Sequence, residues 1–359
     1  MGLYNLFFKP LLFRISADNA HEFTLNTTAK LGQKPWVVHF TEKLYRTTIP
    51  SLNQSIWGLK FENPVGLAAG FDKNGQAVQM MQALGFGYVE IGSVTANANP
   101  GNPKPRSFRL PADKSIINRL GLNNEGAKTV IKRLSKQVFN IPVGINIAKT
   151  HDPSIHGRMA LEDYRFSYNL AKEVADYITI NISCPNTAEG KTFEDPEQLY
   201  QLLDFLKPTK DSSSPPVLIK LSADLNKEQL IELLDVTETF GISGYVATNT
   251  SAERNGLVTS ERELKTIGNG GLSGKAIRDK STEIIRLIYE HTKGVKPIIG
   301  VGGIFSAEDA IEKLKAGADL LQVYTALVYR GPKLVKEINQ GIAEYLEDQN
   351  LKHIYQIRK

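Results

Sequence analysis

The sequence predicts a (β/α)8 TIM barrel with a small N-terminal helical extension, and three observations predict it. Short β-branched or apolar runs recur near residues 65–69, 88–92, 143–147, 177–182, 217–221, 244–248, 297–301 and 320–324. Helical patterns separate most of them, at 75–84, 197–206, 227–240, 281–292 and 306–316. Eight strands alternating with helices over about 280 residues is the signature of a closed parallel barrel. Finally, every run ends in a hydrogen-bonding residue or a glycine, where barrels carry their chemistry. A doubly wound open sheet is the competitor, but its Gly-x-Gly-x-x-Gly turn after the first strand is absent.

Composition narrows the function classes. A chain of 359 residues, 41% of them hydrophobic, can bury one large core or two modest ones. Its single cysteine excludes an intramolecular disulfide and a multi-cysteine zinc site, and fits a reducing compartment. No metal is expected. A net charge of +5 is mild and favours anionic small molecules or an anionic membrane surface. No basic run interleaved with aromatics appears, so nucleic acid is not an expected partner.

Taken in order, residues 1–48 form the extension and 49–359 the barrel. Leu3, Leu6, Phe7, Phe8, Leu11, Leu12, Phe13 and Ile15 make an apolar start, broken by Lys9, Pro10 and Arg14. It is too short and too interrupted to span a bilayer. Asp18 is placed to cap a second helix through Phe23, Thr27 and Leu31, with Glu22 in its first turn. Trp36, Val37, Val38, Phe40, Leu44 and Tyr45 continue the pattern. Two readings stand: a device lying on a hydrophobic surface, or a helical lid packed on the core.

The strand ends carry the candidate site. They are Ala69-Gly70-Phe71-Asp72-Lys73, Gly92-Ser93, Asn146, Asn181 to Asn186, Lys220, Thr248-Asn249-Thr250, Gly302-Gly303 and Tyr324-Thr325. Asn181 and Asn186 bracket Cys184, and paired amides suit the edge of a planar heterocycle with N–H and C=O groups. The plainer reading of Cys184 is a buried structural thiol. Gly300-Val301-Gly302-Gly303 and Tyr324-Thr325 follow strands seven and eight, where barrels bind phosphate on bare N–H groups. Gly271-Leu272-Ser273-Gly274 reads as a further anion nest before a helix. Lys73 and Lys220 converge on the cavity, unless they snorkel to its rim. The turn-rich stretch 95–125 reads as an ordered loop or small hairpin over the mouth, and 184–196 as a flap beside the cysteine.

Gly66-Leu67-Ala68-Ala69-Gly70-Phe71-Asp72-Lys73, Pro100-Gly101-Asn102-Pro103, Asn118-Arg119-Leu120-Gly121, Asn181 to Thr187, Ala247-Thr248-Asn249-Thr250 and Gly300-Val301-Gly302-Gly303 together resemble the dihydroorotate dehydrogenase family. The likeness runs collinearly from about residue 15 to 340. Asp18-Asn19-Ala20-His21-Glu22-Phe23 resembles the membrane-associated, quinone-dependent class 2 branch. The resemblance implies FMN at Ala69, Gly70, Phe71, Asp72, Lys73, Ser93, Asn146, Asn181, Lys220, Thr248, Gly274, Gly303, Tyr324 and Thr325. It implies dihydroorotate, and the product orotate, at Lys73, Asn118, Arg119, Leu120, Gly121, Leu122, Asn181, Asn186, Asn249 and Thr250. His21, Arg109 and Tyr324 would line a quinone path, and Cys184 would be the base. Class 2 enzymes typically carry serine at that last position, and class 1 enzymes cysteine. The expected chemistry is oxidation of dihydroorotate to orotate in pyrimidine biosynthesis, on a protein held peripherally at the cytoplasmic face of the cell membrane. The alternatives are a soluble acceptor such as fumarate, a non-redox phosphate-binding barrel such as an aldolase, and a catalytically dead membrane-associated module.

Overall fold

The computed structural model describes residues 4–183, 192–208 and 214–358. All eight expected strands form: β1 (Val65–Leu67), β2 (Tyr88–Val94), β3 (Val143–Ile147), β4 (Tyr177–Asn181), β5 (Val217–Leu221), β6 (Gly244–Ala247), β7 (Ile298–Val301) and β8 (Leu320–Val323). They close into a barrel in chain order, with β8 pairing β1 and every pairing parallel. Strands buried on both faces need near-continuous apolar sequence, which is why each reads as a β-branched run rather than an alternation. The helices between them bury one face each. Lys227–Thr239 starts on an Asn226–Gln229 capping box, Pro196–Leu206 on an Asp195 cap and Ala307–Lys315 on a Ser306 cap.

A short hairpin, Gln54–Ile56 with Leu59–Phe61, stands before β1. Its Phe61 and Trp57 join Tyr88, Tyr177, Leu218, Val246, Ile299 and Leu320 in an apolar cluster within the barrel. Gly66 and Gly144 make room for it, because a Cβ there would fall 2.3 Å from the Tyr88 ring and 2.1 Å from the Tyr177 ring.

The expected hairpin in 95–125 exists as Ser107–Leu110 paired with Ser115–Asn118. Gly271–Gly274, read from sequence as a nest, is a third strand of this sheet and pairs antiparallel with Ser115–Asn118. Leu110, Ile117, Ile267, Leu272 and Ile277 give the sheet its own small core.

The extension folds as short turns over Tyr4–Phe8 and Lys9–Leu12, then helices Ala17–Gly32 and Pro35–Tyr45. One expectation fails here. Ser16, not Asp18, caps the first long helix, with its hydroxyl accepting from the Asn19 N–H at 3.2 Å. Asp18 lies inside the first turn, buried, and accepts the Arg106 backbone N–H at 2.9 Å. It ties the extension to the loop over the barrel. Arg109 does the same with its guanidinium, which donates to the carbonyls of Leu12 and Ile15 and lies 4.5 Å from the Phe13 ring centre.

Candidate active site

The carboxyl ends of β2, β3 and β4 carry a chain of hydrogen-bonded side chains from the barrel interior to its mouth. Ser93 donates to Asn146 Oδ1 at 2.5 Å, and Asn181 Nδ2 donates to Ser93 Oγ at 3.1 Å. At the mouth Asn181 Oδ1 accepts from Ser183 Oγ at 3.0 Å and from Asn249 Nδ2 at 3.3 Å. Asn249 also donates to Ser183, and its Oδ1 accepts the Thr250 N–H at 2.8 Å. Buried amides stay affordable only when paired, and this chain pairs each with the next. The strand ends thus bring Ser93, Asn146, Asn181, Asn249 and Thr250 together as the sequence predicts.

Both lysines are buried. Lys220, 6% exposed, lies in β5 beside Asn181 of β4. Lys73, 8% exposed, follows β1, the strand across the barrel from β5. It donates to Asn123 Oδ1 at 2.9 Å. Burial, and next the Arg106 guanidinium, pull its pKa down to about 7, against a smaller pull upward from Asp18. Neither lysine reaches the exposure that snorkelling would give.

Two glycine-bearing segments and the Tyr324-Thr325 end of β8 lie on the other side of the mouth. Gly303 has φ +74°, and a Cβ there would collide with Arg278 at 2.4 Å. Gly274 has φ +99°, and a Cβ there would lie 2.6 Å from the Lys114 carbonyl and 2.8 Å from Thr325. Ser273 and Thr325 share a 2.8 Å hydroxyl contact. Only glycine fits at such crowded positive-φ turns, and it leaves bare N–H groups suited to an anion. Phe71 sits between this cradle and the extension, its ring 5.4 Å from Tyr324 and 5.0 Å from His21. Burial and then Lys73 hold the His21 imidazole down to about 4, so it is neutral at pH 7. Burial raises the Tyr324 phenol.

Several predicted residues play narrower parts. Asp72 turns its buried carboxylate onto the N–H groups of Gln76 and Ala77, at 3.0 and 2.7 Å, and so shapes the turn after β1. Arg119 commits its guanidinium to the carbonyls of Ile267, Asn269 and Pro105 and lies 4.7 Å from the Phe108 ring centre. Asn118 holds the Gly271 carbonyl at 3.2 Å. Leu120, Gly121 and Leu122 follow, with positive φ at Gly121 and Leu122. Cys184 and Asn186 lie outside the described residues. Sequence reasoning gave no role to Asn123, Arg106 and the buried Glu90, although a lone carboxylate inside the run Tyr88-Val89-Glu90-Ile91 was a readable signal.

A parallel barrel with an anion cradle after β7 and β8, paired amides and two buried lysines defines a barrel enzyme for a phosphorylated cofactor and a small polar heterocycle. The dihydroorotate dehydrogenase family model matches residues 51–346. Dihydroorotate dehydrogenase (quinone) of Trichormus variabilis is 41% identical, with 99% of this chain and 97% of that protein covered. The protein of the same name from Christiangramia forsetii is 41% identical over 95% of this chain and 99% of its own. Among solved structures, dihydroorotate dehydrogenase of Eimeria tenella in complex with ferulenol aligns with a TM-score of 0.84 at 31% identity, covering 95% of this chain and 94% of that one. The chain belongs to the dihydroorotate dehydrogenase family, in its quinone-dependent class. Its residues fit FMN, the cofactor of that family: the glycine cradle suits the phosphate, and Lys220 and the amides suit the polar edge of the ring system.

Proposed function

We propose that this chain oxidises dihydroorotate to orotate in pyrimidine biosynthesis, with FMN in the barrel mouth and a quinone as final acceptor, and we assign its residues accordingly. The observation that carries the reading is the connected chain from Asn146 through Ser93 and Asn181 to Asn249, set beside two buried lysines and the glycine cradle. FMN, when bound, would supply the acceptor for a hydride from the substrate's C6 and the donor of electrons to the quinone. Ala69 to Lys73, Ser93, Asn146, Asn181, Lys220, Thr248, Gly274, Gly303, Tyr324 and Thr325 hold it. Lys220 places a cation in a poorly solvated site, where it acts far more strongly than in water.

Lys73 meets the substrate carboxylate as a charged donor. The segment Asn118 to Leu122, with Asn181, Asn186, Asn249 and Thr250, reads the amide edges of the pyrimidine. Cys184 Sγ takes the C5 proton. A thiol has a reference pKa of roughly 8.5, far below that of a hydroxyl, so it serves as base with less help from its neighbours.

Residues 1–48 form the quinone-delivering segment and 49–359 the catalytic domain, a division supported by a family match that begins at residue 51. Phe7, Phe8, Leu11, Phe23, Trp36 and Phe40 are all exposed on the extension, and so many large apolar side chains together mark a surface for a hydrophobic phase. Among the described residues no helix is long and apolar enough to cross a membrane. We therefore place the protein peripherally on the cytoplasmic face of the cell membrane, with quinone entering past His21, Arg109 and Tyr324. The neutral His21 supports an apolar route.

The test is anaerobic spectroscopy on the purified chain. A yellow protein whose flavin absorbance is bleached by dihydroorotate and restored by quinone, not by fumarate, supports the reading. A colourless protein, or one reoxidised only by fumarate, contradicts it.

A further inference from the structure

We propose that Glu90 is a positioning residue whose buried carboxylate fixes which way the amides of Asn146 and Asn181 face at the barrel mouth. The proposal rests on the assignment of those two asparagines to the ligand site. An amide turned over keeps its shape but exchanges donor for acceptor, so neighbours decide its direction. Glu90 lies in β2, 0% exposed. Its Oε1 accepts from Asn146 Nδ2 at 2.9 Å. Its Oε2 accepts from Gln322 Nε2 at 2.9 Å, Thr179 Oγ1 at 3.1 Å and the Tyr177 hydroxyl at 3.3 Å.

A carboxylate ringed by donors can only accept. Asn146 must therefore turn its NH2 inward, which aims its Oδ1 at the Ser93 hydroxyl. Ser93, having donated, accepts from Asn181 Nδ2, so Asn181 presents its Oδ1 to Ser183 and Asn249. The other end is pinned independently. The Thr250 backbone N–H can only donate, and it holds Asn249 Oδ1, which turns the Asn249 NH2 toward Asn181. Two groups that cannot change role thus stand at the two ends and agree in direction. A ligand at Asn146 and Asn181 meets one fixed pattern of donors and acceptors, set by a residue it never touches.

Gln322 Oε1 is buried and has no hydrogen-bond partner among the described residues. Glu90→Gln can therefore point its new NH2 at Gln322, once that amide turns, and keep an oxygen on Asn146. Glu90→Met cannot. The experiment uses the full-length, FMN-loaded protein and reads two dissociation constants: orotate by flavin absorbance titration, and FMN by refilling the apoprotein. Glu90→Gln should stay within about twofold of the parent, whereas Glu90→Met should weaken binding about 10- to 100-fold. In an Asn146→Ala background Glu90→Met should add no further loss, because it acts through Asn146. Losses that multiply would show that Glu90 is merely structural and overturn the proposal.

A second arm decides the matter should Glu90→Met fail to fold. Asn146→Asp sets two carboxylates face to face and should lose affinity. Adding Glu90→Gln restores a donor toward Asp and leaves the other Asp oxygen for Ser93, so affinity should return. A double variant no better than Asn146→Asp alone overturns the proposal. Unchanged affinities in Asn146→Ala would instead overturn the site assignment on which it rests.

Discussion

At the barrel mouth polar groups are buried and joined, while on the N-terminal helices large apolar groups are exposed and left unjoined. Asn146, Asn181, Lys73 and Lys220 sit within the protein, the two amides linked through Ser93. Trp36 is 72% exposed, and Phe23 and Phe40 stand beside it in the same sequence segment. Either arrangement is costly in plain water: buried polar groups lose solvation, and exposed apolar ones order it. Each makes sense with a partner. On the proposed reading the mouth serves a polar heterocycle and the helix face a hydrophobic phase. On that reading, the two half-reactions of one enzyme fall to regions with opposite surface chemistry, which touch where His21 meets Phe71.

The comparison can be broken at the mouth first. Removing the proposed base should have the largest effect: Cys184→Ala should slow flavin bleaching by dihydroorotate about 10²- to 10⁴-fold in stopped flow. Cys184→Ser should retain part of the rate and need higher pH. Near-parental bleaching in an FMN-loaded Cys184→Ala protein would remove the thiol from the reaction. Lys220→Ala comes next, with a loss of about 100-fold in the same rate and weakened FMN retention, since a fixed charge in a dry site is lost. A variant that keeps both cofactor and rate would take the lysine out of the site.

A smaller effect lies in pH. With its pKa at about 7, and with Arg106, Asp18 and His21 as its charged or titratable neighbours, Lys73 sheds its proton in the ligand-free protein as pH rises through that value. Orotate affinity should then fall about tenfold above pH 7, as one charge-assisted contact weakens. Lys73→Met should flatten the profile, and an unaltered profile would place the carboxylate elsewhere. The stability sign is opposite. A lysine depressed from 10.5 to about 7 binds fewer protons folded than unfolded between those values, so the ligand-free protein should gain stability as pH rises across that window.

Much of the barrel was legible because its signals are local. A β-branched run and the polar residue that ends it lie within a few positions, so all eight strands and the polar residues at their ends could be read off. What failed depended on distant partners. Asp18 looks like a cap from its neighbours, but its partner is Arg106, 88 positions away. Gly271–Gly274 is drawn into a strand by Ser115–Asn118, which its local sequence does not announce, and only its last residue, Gly274, keeps the positive φ of the cradle. Arg109 and Arg119 also hold backbone carbonyls of remote segments, contacts that no local pattern announces. Glu90 hid because an isolated carboxylate in an apolar run acquires meaning only when Asn146, Thr179 and Gln322 close around it.

The division of labour itself is tested most directly by changing only the exposed face of the extension. Phe7, Phe8, Trp36 and Phe40 can be replaced by serine together, since all four are exposed and their loss leaves the barrel core intact. Each large apolar side chain withdrawn from a hydrophobic phase costs roughly 1.5–3 kcal/mol. The two half-reactions would then be timed separately by stopped flow on lipid vesicles carrying a long-tail quinone. The account predicts unchanged bleaching of the flavin by dihydroorotate and at least a tenfold slower return of its colour. Equal loss in both halves, or full-speed reoxidation by the vesicle-held quinone, would contradict it.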